Sequence, residues 1–396
     1  MEQELRISQR AKQYPASGIR KMFDLAAQYP EAIKLTVGEP NFETPQYIKD
    51  AAKRALDEGQ THYAPNAGTT ELREAVAAKY RKQYWEGYTK DHVIITVGAM
   101  EGLFLAMMTL LDPGDEILVP DPCFPNYYGQ ASSIGARAVP VPTYEEYDYR
   151  IQAADIEKAV TPRTRAILLN SPCNPTGAVL TKEDILAIAK VAKTHDLWVL
   201  TDEPYDAIVY DGIQPYSMAQ VPEMQDRVMV LNSFSKSYAM TGWRIGFIAA
   251  PLWIAKACNK LQGQYTSGAS SIAQKAAAAA FAGEQGCVET MRQAFQHRRD
   301  LVVRLAKEIP GLKVNDPQGA FYLFPEVSHY LGKSDGERKI NTSSDLAMYI
   351  LEVGHVATVA GDAFGAPDYL RLSYATSEEN ITEAMRRMKE VLARLK

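Results

Sequence analysis

Lys236 ends the run Ser233-Phe234-Ser235-Lys236, and Arg244 follows eight residues later. A lysine at a strand end is ordinarily a solvated surface charge. Beside a second cation and partly withdrawn from water, its ammonium form is disfavoured, and the neutral amine becomes a nucleophile for Schiff-base chemistry. Ser233, Ser235 and the guanidinium of Arg244 suit a phosphate, because the fork of arginine matches its oxygens. Gly98-Ala99-Met100 opens a helical pattern after an apolar run and adds backbone N–H groups for the same anion. That glycine alone is a weak signal, since many strand-to-helix turns carry one. Asp202 closes another apolar run, either as a helix cap or solvated carboxylate, or as a carboxylate held against a buried cation. A Schiff-base lysine, a phosphate cradle and a carboxylate facing a ring nitrogen together describe a site for pyridoxal 5′-phosphate. The carboxylate keeps the pyridine nitrogen protonated, so that the ring accepts electrons when a substrate C–H bond breaks. Asn174 and Tyr205 then fit as donors to the ring oxygen. Phe124 fits as a plate on one ring face, although a phenylalanine after a strand is more often core.

The elements that must position these residues are legible as periodicity. Short β-branched runs at 93–97, 116–120, 166–170, 197–201, 228–232 and 245–249 alternate with helical patterns such as 101–111 and 181–195. Strand and helix in alternation predict an α/β unit with a largely parallel sheet covered on both faces. Ligands of such sheets bind beyond the carboxyl ends of the strands, where the unusual residues collect. The last hundred residues read differently. One or two long helices over 273–309 precede short strands near 319–324, 356–360 and 370–373, and an amphipathic helix over 377–395 closes the chain. That is an α+β pattern, and it predicts a second, smaller domain.

Bulk properties bound the alternatives. The chain has 396 residues, 46% of them hydrophobic and 23% charged, which excludes disorder and fibrous repeats. With 43 basic against 48 acidic residues the net charge is −5, which argues against nucleic acid as the main partner. The N-terminal stretch is charged and shows no secretory apolar region. The longest apolar run, 276–282, is far too short for a membrane span and contains five consecutive alanines, which predict a helix packed closely against a neighbour. Four cysteines without paired spacing point to a reducing cytoplasm. Six scattered histidines give no metal motif.

NPTG at 174–177, the Asp202 and Tyr205 pair, and SFSKSYAMTGWRIG at 233–246 resemble a class I pyridoxal-phosphate aminotransferase of fold type I. The resemblance runs from LTVGEPNFETP (35–45) and THYAPNAG (61–68) to GAFYLF (319–324) and RLSYATSEEN (371–380), and is strongest to bacterial aspartate aminotransferases. It implies a large cofactor domain over 45–285, with a seven-stranded type of mainly parallel sheet, and a small domain made of 1–44 and 286–396. It further implies that Lys236 binds the cofactor covalently and shuttles the substrate proton, Asp202 pairs with the ring nitrogen, and Asn174 and Tyr205 serve the ring oxygen. Ser233, Ser235, Arg244 and the amides near Ala99 and Met100 would hold the phosphate. Tyr63 would reach it from the other subunit of a homodimer, and Arg371, helped by the Gly38 amide and Asn174, would clamp the substrate carboxylate.

The implied reaction is ping-pong amino transfer between an L-amino acid, aspartate foremost, and a 2-oxo acid, 2-oxoglutarate foremost. Aromatic, alanine or broad donors, or carbon–sulfur lyase chemistry, remain alternatives. Two departures bear on the donor. Met100 stands where aspartate-specific relatives often carry a lysine for the distal carboxylate, which turns attention to Arg20 or Lys21. Phe124 stands where Trp or Tyr is common.

Overall fold

The computed structural model describes residues 7–8, 11–12 and 18–396. In chain order the strands are β1 (Ile33–Lys34), β2 (Val93–Thr96), β3 (Glu116–Asp121), β4 (Arg137–Pro142), β5 (Thr164–Asn170), β6 (Trp198–Asp202), β7 (Val228–Ser233), β8 (Gly246–Ala249), β9 (Tyr322–Leu323), β10 (Val356–Ala357), β11 (Val359–Ala360) and β12 (Leu370–Ser373). Seven of them form one sheet in the order β2-β8-β7-β6-β5-β3-β4. All its neighbours run parallel except at β8, which is antiparallel to both β2 and β7. The architecture is the α/β fold with a mostly parallel sheet that the alternating pattern predicts.

Between their polar ends the central strands are apolar, because helices cover both faces. The helix Lys182–Thr194 shows how the sequence encodes that cover. Thr181 accepts a bond from the Asp184 amide at 3.1 Å, and Asp184 accepts one from the Thr181 amide at 2.9 Å, so two terminal donors are satisfied reciprocally. Ile185, Ile188, Ala189 and Ala192 then recur on one face and are buried. The helix Ser271–Ala282 places Ala273, Ala276, Ala277 and Ala280 against the alanine face of Gln46–Asp57, as the five-alanine run predicts.

One strand escapes periodicity. β4 carries Pro140 and Pro142, which reads as turn, yet it lies at the sheet edge, where a missing N–H costs no ladder bond. The region expected to hold one or two long helices holds two, Ser271–Ala282 and Gly286–Lys307.

A second apolar core lies beyond the sheet. It gathers the helices Gly286–Lys307, Ser343–Gly354 and Glu378–Leu392 with the antiparallel sheet β11-β12-β9 and the parallel pair β1-β10. Met22 and Ala26 of the helix Gly18–Ala26 join it, and so do Tyr205, Ile208 and Tyr210 from the end of β6. The two cores therefore meet at the carboxyl end of the large sheet. Among the described residues, no helix is long and apolar enough to cross a membrane, and no cluster of three or more His, Cys, Asp or Glu side chains is placed to hold a metal ion.

Candidate active site

A cavity of about 280 Å³ opens where the two cores meet. Twelve of the residues singled out from the sequence line it: Lys236, Asp202, Tyr205, Asn174, Ser233, Ser235, Arg244, Phe124, Ala99, Met100, Gly38 and Arg371. Strand register explains the convergence. Asn170, Asp202 and Leu231 lie abreast at the ends of β5, β6 and β7. A short turn over Thr241–Trp243 then leaves Arg244 in the left-handed region, with φ 51°, and returns the chain antiparallel beside Ser233.

Close approach at one corner of the cavity requires glycine twice. A Cβ on Gly98 (φ +71°) would lie 2.6 Å from Arg244 Nη2, and one on Gly246 would lie 2.6 Å from the Gly98 carbonyl carbon and 2.7 Å from the Ala99 nitrogen. Gly98 opens the helix Gly98–Leu110, whose start has no side-chain cap. Ala99 and Met100 line the cavity with Arg244, Ser233 and Ser235, while the carboxylate of Glu101 in the first turn accepts from the Val97 amide just ahead of them. Arg244 bonds the Thr241 carbonyl at 2.9 Å and has no carboxylate within ion-pair distance among the described residues.

At the floor, Asp202 is buried and accepts a bond from Tyr127 Oη at 2.7 Å. Burial pushes its carboxyl up to about 6, opposed by the Tyr127 bond and by the charge of Lys236. Asn170 fixes the strand end by donating to the Asp202 carbonyl at 2.8 Å while accepting from the Asn174 amide at 2.9 Å. Lys236 Nζ donates to the Gly38 carbonyl and lies 5.9 Å from the centre of the Tyr205 ring. Burial brings its ammonium down to about 8. Glu39 opposes that shift, and Arg244 and Arg371 add to it. The depressed lysine inferred from the sequence is thus present, with desolvation rather than the neighbouring cation as the larger cause.

Arg371 is 1% exposed. It donates from Nη1 to Asn174 Oδ1 at 2.9 Å and from Nη2 to the Thr36 carbonyl at 2.7 Å, while Nε has no partner. No carboxylate pairs with it among the described residues, and burial lowers its affinity for its proton. A buried cation in that state is a strong attractor for an external anion.

Six cavity residues escape the sequence reading, Leu103 and Pro204 among them. Tyr127 and Asn170 look like core, being single polar residues in apolar surroundings. Tyr322 sits inside the GAFYLF run without a distinguishing neighbour. Ile19 corrects the expectation for Arg20 or Lys21: the helix Gly18–Ala26 does reach the cavity, but its phase turns Ile19 into the wall while Arg20 and Lys21 lie outside the lining. Tyr63 is 99% exposed and lies outside the lining of this chain's own cavity, beside Thr266 to Ile272.

These residues fit pyridoxal 5′-phosphate. The glycine-lined corner offers the amides at Ala99 and Met100 and a guanidinium without a carboxylate partner for a phosphate, Asp202 offers a buried carboxyl without a cationic hydrogen-bond partner for a ring nitrogen, and Lys236 offers an amine of lowered basicity for the aldehyde.

Comparison with known proteins agrees with the geometry. Residues 30–388 match the family described as aminotransferase class I and II. The chain is 42% identical to an aromatic-amino-acid aminotransferase 2 of Thermococcus litoralis, covering 98% of both chains. It is 43% identical to an aspartate aminotransferase of Pyrococcus abyssi, covering 95% of both. The crystal structure of the aspartate aminotransferase from Rhizobium meliloti superposes with a TM-score of 0.95 at 38% identity, covering 99% of this chain and 100% of that one.

Proposed function

The chain belongs to the class I and II aminotransferases, pyridoxal-phosphate enzymes, and from that premise we propose that it moves the amino group of an L-amino acid, aspartate foremost, to a 2-oxo acid, 2-oxoglutarate foremost. The observation that carries the reading is that Lys236 and the unpaired, buried Arg371 face one cavity. One group handles an amine and the other an α-carboxylate, the two functions every α-amino acid shares.

Bound pyridoxal 5′-phosphate supplies the aldehyde that takes the amino group and a ring that accepts the electron pair of the broken Cα–H bond. The chain's residues do the rest. Arg244, Ser233, Ser235 and the amides at Ala99 and Met100 hold the phosphate, and Phe124 covers one ring face. Asp202 Oδ, steadied by Tyr127, keeps a proton on the ring nitrogen. Arg371 fixes the carboxylate while Asn174 holds that guanidinium by its Oδ1, which leaves the Asn174 amide free to donate to the ring oxygen beside Tyr205 Oη. Lys236 Nζ, uncharged at a modest cost because its basicity is already lowered, would take the proton from substrate Cα and return it to the cofactor carbon on the other side of the substrate nitrogen. The same residues serve both half-reactions, which gives ping-pong kinetics. The working unit in this reading is a cytoplasmic homodimer. The 99% exposure of Tyr63 supports the dimer, in which its hydroxyl would reach the phosphate of the other subunit.

A specific observation favours a second reading of the donor. Ile19, Met100, Leu103 and Phe124 make one wall apolar, and the cations lining the cavity are Lys236, Arg244 and Arg371, each already engaged in this scheme. Such a wall suits aromatic or aliphatic side chains.

Single-turnover mixing of the loaded enzyme with each amino acid, without any 2-oxo acid, tests both. Conversion of the visible band fastest with aspartate supports the first reading, and fastest with aromatic donors refutes it for the second. Release of ammonia and pyruvate from cystathionine under the same conditions would replace both with a lyase.

A further inference from the structure

Tyr322 stands between the group that holds the substrate and the group that serves the cofactor. It is 1% exposed on β9, paired with Ser373 of β12, two residues after Arg371. The Arg371 guanidinium lies 4.5 Å from the centre of its ring, with the Phe364 ring 4.9 Å from the same guanidinium. Its hydroxyl lies 2.7 Å from Tyr205 Oη. Gly38 leaves room for that hydroxyl, because a Cβ there would fall well inside van der Waals contact with it.

The Tyr205 hydroxyl has one hydrogen. When that hydrogen serves the ring oxygen of the cofactor, the 2.7 Å contact persists as a hydrogen bond only if Tyr322 donates and Tyr205 accepts. The Arg371 cation draws Tyr322 toward ionisation and so makes it the stronger donor, although burial raises the phenol on balance. The other titratable or charged groups facing the pair are Lys236 after β7, Asp202 at the end of β6, and Tyr374 after β12. Of these groups, Arg371 alone has its charge neutralised by a substrate carboxylate.

We propose that Tyr322 is a positioning residue that carries the state of Arg371 to Tyr205, so that pairing of a carboxylate with Arg371 weakens the donation reaching the cofactor's ring oxygen. Its ring orients the guanidinium and its hydroxyl tunes the phenol. The inference rests on the cofactor reading above.

The test is a pH titration of the visible band of the cofactor-loaded protein, with and without a carboxylate that lacks an amino group, such as succinate or hydrocinnamate. In the parent, the carboxylate raises the midpoint, because a less stabilised ring oxygen lets the shared proton stay to higher pH. In Tyr322→Phe, the midpoint without carboxylate rises by roughly half a unit to one unit, and the carboxylate-induced step shrinks. KM for the donor stays within about threefold in Tyr322→Phe but rises roughly tenfold in Tyr322→Leu, where the stacking surface is lost as well. An unchanged midpoint and an unchanged step in Tyr322→Phe overturn the proposal. A parent midpoint that the carboxylate leaves unmoved overturns it as well, whereas a parent protein with no visible band after loading overturns the cofactor reading beneath it instead.

Discussion

Replacing Arg371 separates binding of the carboxylate from binding of the cofactor. A guanidinium carries five N–H donors. Two are spent on Asn174 and the Thr36 carbonyl, which leaves three, Nε–H among them, to meet a carboxylate in a two-pronged geometry. A hydrogen bond to a charged group is worth about 1.5–3 kcal/mol. Arg371→Lys keeps the charge but loses the fork, about one such bond, and kcat/KM for the preferred amino acid should fall roughly 10- to 150-fold. Arg371→Leu loses both prongs, about 3–6 kcal/mol, for a fall of roughly 10²- to 10⁴-fold. The visible band of the bound cofactor should persist in both variants, because the phosphate corner at Gly98 and Arg244 is untouched. A simple amine without a carboxylate should react at similar rates in parent and variants. The assay is single-turnover conversion of the band across a range of donor concentrations. An Arg371→Leu protein that retains its band and stays within tenfold of parental kcat/KM would show that the buried guanidinium is structural and that the carboxylate binds elsewhere.

Cofactor-free protein should become more stable as pH rises from about 8 to about 10, because unfolded chains, with lysine near 10.4, bind more protons there than the native chain does. Urea titrations of Lys236→Met should lack that part of the slope, up to about 3 kcal/mol before solvent screening at the cavity mouth. Glu203 gives the opposite sign. It is buried directly after β6, held by Thr201, Ser217 and Tyr84, and burial pushes it up to about 7. The native chain therefore binds the extra proton between about 4.3 and 7, stability drains away as pH rises through that window, and Glu203→Gln should gain on the parent between pH 5 and 8. A parallel pair of stability curves would remove the assignment. Finally, Tyr63→Ala and Lys236→Ala subunits, each nearly inactive, should regain about a quarter of parental activity when mixed and re-associated, because half the dimers are hybrids with one complete site; no recovery despite proven hybrids would place Tyr63 outside the site.

Local order in the chain determined the chemistry. In a parallel sheet the carboxyl ends of the strands converge, so Asp202 closing one apolar run and Ser233 to Lys236 closing the next must become neighbours, and a reader of the sequence needs nothing else to place them together. The same logic exposed the Gly98 turn, and periodicity exposed the helix near 181–195. Other features depended on contacts that local pattern does not encode. β8 enters antiparallel between β2 and β7, and only that insertion lays Arg244 over the start of the Gly98 helix. The prolines of β4 disguise a strand until its edge position is known. Tyr127 and Tyr322 look like core side chains until their hydroxyls meet Asp202 and Tyr205. The N-terminal helix shows the limit most sharply. Successive residues turn by about 100°, so helical phase, set by Met22 and Ala26 entering the second core, decides that Ile19 and not Arg20 or Lys21 lines the cavity. The identity of the reacting groups is written along the chain. The wall that selects among substrates is assembled from distant segments, and packing alone fixes which side of each one it uses.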